Sequence, residues 1–237
     1  MSKGEAPRDA HAGEPRLSRA GVGRLSLYLR RLEGFLGEGL ETISSGQLGE
    51  ALGVSDAQVR KDLAYLGSLG LPGVGYPARE LIAAIRRTLG IDRDWAVAVV
   101  GVGNLARALL RYRGFQQQGF RIVALFDADP AKVGQCVEGL PVYAMEQMAD
   151  VLRATGAELG LLTVPSESAQ AVADALIAAG VRGLLNFAPA VLRVPPGVSV
   201  VSVDLTVQLE QLAFLVQGGG SDAAARGPRT PANSSPS

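Results

Sequence analysis

Cysteine occurs once in this chain, at Cys136, which excludes an internal disulfide framework and any cysteine-only metal cluster. Histidine also occurs once, at His11, and lysine only at Lys3, Lys61 and Lys132. Hydride-transferring enzymes commonly take their acid/base from His, Lys or Tyr, so a stock this thin argues against catalysis. No apolar run approaches the ~18 residues that cross a bilayer, and Met1–Arg8 has no apolar stretch of the kind a secretory signal needs. The expectation is a cytoplasmic protein with no membrane partner. Net charge is absent as well, at +0. Between Arg16 and Gly90, however, ten Arg or Lys stand against seven acids, a slight basic excess that does not by itself mark a nucleic-acid binder.

Apolar residues are plentiful, at 47% of 237 positions, enough for one large domain or two modest ones. Residues 1–20 and 218–237 have no apolar period and read as a disordered leader and a disordered Gly/Pro/Ser tail. Between them, Leu25, Tyr28, Leu29, Leu32, Phe35 and Leu36 recur at three-to-four spacing and predict an amphipathic helix ended by Gly37-Glu38-Gly39. Ser44 followed by Gln47 is a capping box that opens a short helix carrying Leu48, Ala51 and Leu52, closed by the turn Gly53-Val54. Ser55 followed by Gln58 reads as a second capping box, and Val59, Leu63 and Leu66 form the next apolar stripe. Two short helices so close together are the outline of a helix-turn-helix.

On the second of these helices the stripe leaves Arg60, Lys61 and Ala64 on another face. Arginine suits guanine edges or phosphates and lysine suits phosphates, while the small Ala57 and Ala64 would allow a close approach to a groove. The turn-rich stretch Gly70–Tyr76 reads as a wing, and Pro77–Leu89 as a further helix. DNA is the partner these features point to.

Beyond a joint near Gly90–Asp94, strands at Ala96–Val100, Arg121–Phe126, Leu140–Tyr143, Leu159–Thr163, Gly183–Asn186 and Val198–Val203 alternate with helices at Asn104–Tyr112, Met145–Ala154, Ser168–Ala179 and Leu205–Val216. Near-continuous apolar strands alternating with helices imply an α/β fold with a doubly wound parallel sheet. The first strand runs into Gly101-Val102-Gly103-Asn104-Leu105-Ala106, a Gly-x-Gly-x-x-Ala turn. Gly101 permits the sharp turn, Gly103 removes the side chain that would hold a pyrophosphate off the backbone, and Ala106 keeps the next helix close to the sheet. The pyrophosphate would then sit on the free N–H groups at the start of that helix. The motif alone is weak in a chain with 30 glycines, but the second strand ends in Asp127, twenty-six residues after Gly101. A carboxylate there accepts both ribose hydroxyls and repels a 2′-phosphate, and no arginine follows it directly, so NAD(H) is expected over NADP(H). Cys136 reads as a packing or surface residue rather than a thiol sensor, and Trp95 and the five tyrosines individually as core.

With both motifs in place, the chain resembles the Rex family of redox-sensing transcriptional repressors from about Leu25 to Phe214. The resemblance is carried by Tyr28-Leu29-Arg30, Ile43-Ser44-Ser45, Gln58-Val59-Arg60-Lys61-Asp62-Leu63, Gly73-Val74-Gly75-Tyr76, Gly101–Leu105, Tyr112, Gly114-Phe115, Phe126-Asp127, Leu162-Thr163-Val164-Pro165, Asn186-Phe187-Ala188-Pro189 and Val203-Asp204-Leu205. It implies a homodimer with a winged helix-turn-helix over residues 21–90, a Rossmann-like NAD(H)-binding domain over residues 94–203, and a final helix over residues 204–217 swapped onto the partner. It further implies that NADH favours a closed dimer that leaves a palindromic DNA operator, while NAD+ or no ligand permits binding. NADH and NAD+ would then act as effectors and not as catalytic cofactors.

On that resemblance the cofactor residues are Gly101–Ala106, Asp127, Tyr112 near the nicotinamide, Thr163, Val164, Pro165, Asn186 and Asp204. The DNA-contacting set is Ser55, Ala57, Gln58, Arg60, Lys61, Tyr65, Gly73, Gly75 and Tyr76, and the switch contacts are Arg30, Tyr112 and Asp204. Two departures stand out: Ala106 where many relatives have glycine, and Pro72 in the wing where relatives often carry arginine. Two other readings stay open from the residues alone. One is an NAD-dependent oxidoreductase with Tyr112 as its acid/base; the other is a CoA- or nucleotide-binding module, which shares the strand-turn-helix opening.

Overall fold

The computed structural model describes residues 17–71 and 73–224, with side chains as far as residue 217. His11, Pro72 and most of the expected leader and tail lie outside the described residues. The chain divides into two compact units, with the boundary between Asp94 and Trp95.

The first unit contains α1 (Arg19–Gly37), β1 (Thr42–Ile43), α2 (Ser45–Leu52), α3 (Asp56–Leu63), β2 (Tyr76–Pro77) and α4 (Ala78–Leu89), with one 3-10 turn, Ala64–Leu66, continuing α3. Residues at i, i+3 and i+4 of α1 (Leu25, Tyr28, Leu29, Leu32 and Phe35) face a core shared with Ile43, Leu48, Val59, Leu63, Leu81 and Ile85. That shared apolar face, more than intrinsic propensity, stabilises helices as short as α2 and α3. β1 and β2 pair antiparallel, Ile43 opposite Tyr76, and anchor the base of the wing.

The boundaries depart from expectation in two places. α1 starts at Arg19, inside the expected leader, because the Ser18 hydroxyl accepts from the Gly21 N–H and caps it. The box at Ser44 and Gln47 is complete, but the one expected at Ser55 is half made. The Ser55 hydroxyl accepts from the Gln58 N–H, while the Gln58 side chain turns to Asp62 instead.

The second unit contains β3 (Trp95–Val100), α5 (Asn104–Leu110), α6 (Arg113–Gln117), β4 (Phe120–Asp127), β5 (Cys136–Val137), β6 (Leu140–Ala144), α7 (Met148–Thr155), β7 (Leu159–Leu162), α8 (Ser166–Ala178), β8 (Gly183–Asn186), β9 (Ser199–Ser202) and α9 (Leu205–Ala224). The sheet order is β5-β6-β4-β3-β7-β8-β9, parallel throughout except for the β5–β6 edge hairpin. Along β3, Val97 and Val99 join a core with Ala106 and Leu125, while Ala98 and Val100 join one with Met148, Leu152, Ala173 and Leu176. Both faces of the sheet are therefore covered, which is why its strands read as unbroken apolar runs. The order reverses at β3, with β4 on one side and β7 on the other. The crevice beyond the carboxyl ends of these strands is where such sheets take ligands.

Here too the structure amends the reading. The helix expected over Asn104–Tyr112 ends at Leu110, and an unexpected short helix, α6, follows after an extended Tyr112 (φ −76°, ψ 102°), whose ring lies over Gly114, where any Cβ would strike it. The antiparallel edge at β5 was not expected; its turn at Glu138-Gly139 has positive φ at both residues, the geometry of a two-residue hairpin. α9 runs to Ala224, through glycines that the sequence placed in the tail, since each residue added to a formed helix gains a backbone hydrogen bond. Tyr28 is fully buried as expected, but Tyr65 and Tyr112 are exposed, Tyr65 on the turn after α3 and Tyr112 on the extended residue between α5 and α6. No helix among the described residues is long and apolar enough to cross a membrane.

Candidate functional site

The loop after β3 is held by its neighbours. Gly101 has φ +91°, and its N–H donates to the Phe126 carbonyl at 2.8 Å. A Cβ at Gly101 would meet the Thr163 carbonyl oxygen and a Val164 methyl, both at 2.7 Å, so glycine is required by the fold itself. The Thr163 hydroxyl donates to the carbonyls of Val100 (3.0 Å) and Gly101 (2.7 Å), stitching the ends of β3 and β7 together. Gly103 differs. Its backbone is extended (φ −92°, ψ −167°), and a Cβ there would meet nothing within 4 Å. The chain has no internal use for glycine at 103; the residue leaves open a cradle that a side chain would fill, as close approach of a pyrophosphate requires. Ala106 is fully buried against the sheet, and Asn104 and Leu105 are exposed at the start of α5. That helix is seven residues long, so the loop backbone, not a long helix dipole, is the main surface for an anion.

Asp127, at the end of β4, is 7% exposed. Its Oδ2 accepts from the Val102 N–H at 2.7 Å and from Lys132 Nζ at 3.0 Å, and its Oδ1 accepts from the Asp129 N–H at 2.9 Å. Burial alone would push this carboxyl up; the Asp129 N–H, the Lys132 ammonium and the Val102 N–H outweigh it and hold the group below the usual aspartate range. The expected ribose-binding carboxylate is thus ionised and fixed to the glycine loop. Lys132 is the residue that sequence reasoning missed. The signal available was the turn Asp129-Pro130, whose Asp129 side chain accepts from the Ala131 N–H and whose carbonyl accepts from the Lys132 N–H, folding Lys132 back onto Asp127.

The remaining cofactor residues differ in what they offer. Val164 lies against Gly101, and Pro165 precedes α8 as its cap. Asn186 is fully buried, with its amide donating to the Ala188 and Ala190 carbonyls and its oxygen accepting from the Ala188 N–H, so it shapes the loop after β8. Tyr112 is 57% exposed and meets Phe115 edge-to-face at 5.3 Å. Asp204 caps α9, its Oδ1 accepting from the N–H groups of Thr206 (2.9 Å) and Val207 (3.3 Å). Arg30 is exposed on α1 in the other unit.

In the first unit α3 presents Ala57, Arg60 and Lys61 outward, with Ala64 and Tyr65 exposed on the 3-10 turn that continues it. Arg60 bonds Asp56 at 2.6 Å and the Ser45 hydroxyl at 3.3 Å; an exposed pair of this kind is weak and screened by salt, so it exchanges readily for a phosphate or a base. Between Arg60 and the wing lies a cleft of about 440 Å³ lined by Ser45, Leu71, Val74 and Tyr76. A Cβ at Gly75 (φ +115°) would meet the Ile43 carbonyl oxygen at 2.8 Å, so this glycine seats the wing on β1, while Gly73 is exposed near its tip. Gln58 is turned inward: its amide donates to Asp62 Oδ1 at 2.8 Å.

Asp62 is the hub beneath this face, at 3% exposure. It accepts from Arg24 Nε (2.6 Å) and an Arg24 terminal nitrogen (2.7 Å), from the Tyr28 hydroxyl (2.8 Å) and from Gln58, clamping α3 to α1. The Arg24 hydrogen bonds outweigh burial and, with Tyr28 and Gln58, hold the Asp62 carboxyl below its ordinary range. Burial and the same carboxylate push Tyr28 up to about 12.

Comparison with known proteins bears on both halves. A family model described as "CoA binding domain" matches residues 92–190, and one described as "Putative DNA-binding protein N-terminus" matches residues 16–64. The chain is 48% identical over 201 residues to the redox-sensing transcriptional repressor Rex of Desulfitobacterium hafniense, covering 85% of this chain and 96% of that protein. Among solved structures it is similar to RSP, a Rex-family repressor, in complex with beta-NAD+ and operator DNA, at a TM-score of 0.82 and 31% identity, covering 91% of this chain and 100% of that one. RSP in complex with beta-NADH matches at a TM-score of 0.80 and 30% identity, covering 90% and 100%.

Proposed function

This chain belongs to the Rex family of redox-sensing transcriptional repressors, and from that premise we propose that it represses transcription by binding operator DNA as a homodimer and leaves the DNA when NADH binds. The observation that carries the ligand half is Gly103: a glycine with no internal steric reason, beside a loop tied to an ionised Asp127. In this reading the backbone of Gly101–Ala106 receives the pyrophosphate, with Thr163, Val164 and Pro165 forming the facing wall. Asp127 takes the adenosine ribose through the lone pairs left on Oδ1, and Asn186 holds the loop after β8 in place. Tyr112 lies near the nicotinamide, and Arg30 and Asp204 exchange contacts between the two states. That RSP has been crystallised with beta-NAD+ and operator DNA, and with beta-NADH, supports an effector role for the dinucleotide.

The DNA half assigns residues 21–90 to a winged helix whose α3 enters the major groove. Arg60 reads a guanine or a phosphate, Lys61, Ser55 and Tyr65 contact the backbone, Ala57 permits close approach, and Gly73, Gly75 and Tyr76 carry the wing. Gln58 contributes through its carbonyl oxygen. Residues 94–203 hold the dinucleotide, and residues 204–217 form the exchanged dimer helix. Leu205, Leu209, Leu212, Phe214, Leu215 and Val216 are each more than half exposed on α9, and burial against a second copy removes them from water. The protein acts in the cytoplasm, where its operator and the NADH pool meet.

The test is a titration of NADH and NAD+ into the protein bound to a duplex it has selected from random sequence. NADH releases the protein at concentrations where NAD+ does not. Absence of any ligand effect would contradict the reading. The "CoA binding domain" match keeps one alternative in play, and a thermal-shift comparison of NADH, NADPH and CoA separates them: stabilisation by CoA alone would favour it.

A further inference from the structure

Three charged side chains crowd the edge of the candidate ribose site: Asp127, Asp129 and Lys132. Lys132 Nζ stands 3.0 Å from Asp127 Oδ2 and 4.0 Å from Asp129 Oδ2. The placement is built: the turn at Asp129-Pro130 is fixed by the bonds from the Ala131 and Lys132 N–H groups, and it returns the lysine to the carboxylate. An acid at this position excludes a 2′-phosphate by like charge, and the strength of that exclusion depends on the net charge around it. With Lys132 the cluster carries one negative charge; without it, two. The ammonium is also a mobile point charge on a flexible stem, suited to an anion that arrives within a few ångströms.

Resting on the proposed NAD(H) site, we propose that Lys132 sets how sharply the site separates NADH from NADPH, by blunting the exclusion of the 2′-phosphate. The wild-type site still prefers NADH, because Asp127 is retained and the cluster remains net negative. Lys132 acts on the second ligand: it lowers the repulsion that a ribose 2′-phosphate meets and offers it a cation.

The experiment is direct binding of NADH and of NADPH to the full-length wild type, Lys132→Gln and Lys132→Arg, followed by the fluorescence of the bound nicotinamide and by calorimetry. In Lys132→Gln, NADH affinity stays within about fivefold of wild type, as loss of a partly exposed ion pair allows. NADPH affinity falls further, so that the ratio of the two dissociation constants widens about tenfold; Lys132→Arg restores it. Because salt screens the repulsion, raising it narrows the gap in NADPH affinity between Lys132→Gln and the wild type. An equal loss for both ligands would make Lys132 a mere prop for Asp127 and overturn the proposal, as would an unchanged or narrowed ratio. Failure of the wild type to bind NADH at all would remove the site itself, an outcome distinct from NADH binding with an unmoved ratio.

Discussion

Asp62 and Asp127 are both buried aspartates held in the ionised form by hydrogen-bond donors, yet they do different work. Asp62 receives four hydrogen bonds from the side chains of Arg24, Tyr28 and Gln58, two on each oxygen. Its lone pairs are used up, by Gln58 of its own helix and by Arg24 and Tyr28 of α1, more than thirty residues earlier. Asp127 receives two bonds from backbone N–H groups and one from Lys132, and among the described donors only the Asp129 N–H reaches Oδ1. A carboxylate oxygen accepts about two hydrogen bonds, so Asp127 keeps capacity for an outside donor. A closed acceptor set marks a carboxylate that holds helices together; an open one at a strand end marks a carboxylate poised for a ligand.

The largest way to break this contrast is Asp62→Ala. It leaves the Tyr28 hydroxyl buried without its acceptor and removes the partner of the part-exposed Arg24 guanidinium, and should cost about 1–3 kcal/mol of stability in chemical denaturation. Asp127→Ala should act on binding instead, weakening NADH about 10- to 100-fold by calorimetry, the value of hydrogen bonds to a charged acceptor. A stability loss as large as that of Asp62→Ala, with NADH affinity intact, would reverse the two roles. On the DNA face, Lys61→Ala should lower affinity for all duplexes alike and reduce the slope of log K against log salt by about 1. Arg60→Ala should relax preference at a particular base if it reads guanine.

The smallest effect is on pH. Asp62 titrates below its unfolded value of about 3.9, so its contribution is complete above that value and is lost as the pH falls through the lower folded one. Asp127 behaves likewise, and Asp62→Asn separates the two by removing one share of the acid limb. Tyr28 is shifted the other way: its contribution is complete below pH ~10 and is lost as the pH rises toward about 12. Tyr28→Phe should flatten that alkaline limb in a pH series of thermal melts.

Features set by local chemistry were legible before folding. The Gly-x-Gly turn, the strand ending in Asp127 and the capped pair of helices depend on spacing within one or two elements. What depends on elements meeting was not. Nothing near Asp62 indicates that Arg24, thirty-eight residues earlier, reaches it, nor that Gln58, expected to close a capping box with Ser55, turns its amide to Asp62. Lys132 is not evident in the sequence because it stands five residues after Asp127 and only the tight turn at Asp129-Pro130 returns it to the carboxylate. The short helix α6 is not evident because its five residues carry a single apolar side chain and no period of their own, and the β5 hairpin rests on a glutamate in a conformation that usually selects Asn, Asp or Gly.

In the proposed function, occupancy of the cradle over Gly103 controls the hold on DNA. Gly103→Ala tests it most directly, since the added methyl meets no atom of the chain and should leave stability within about 0.5 kcal/mol. With the variant and the wild type each bound to operator, NADH is titrated and release is followed by fluorescence anisotropy. The variant should stay on the DNA at NADH concentrations that strip the wild type, needing at least about tenfold more. Release of both at the same concentration would contradict it.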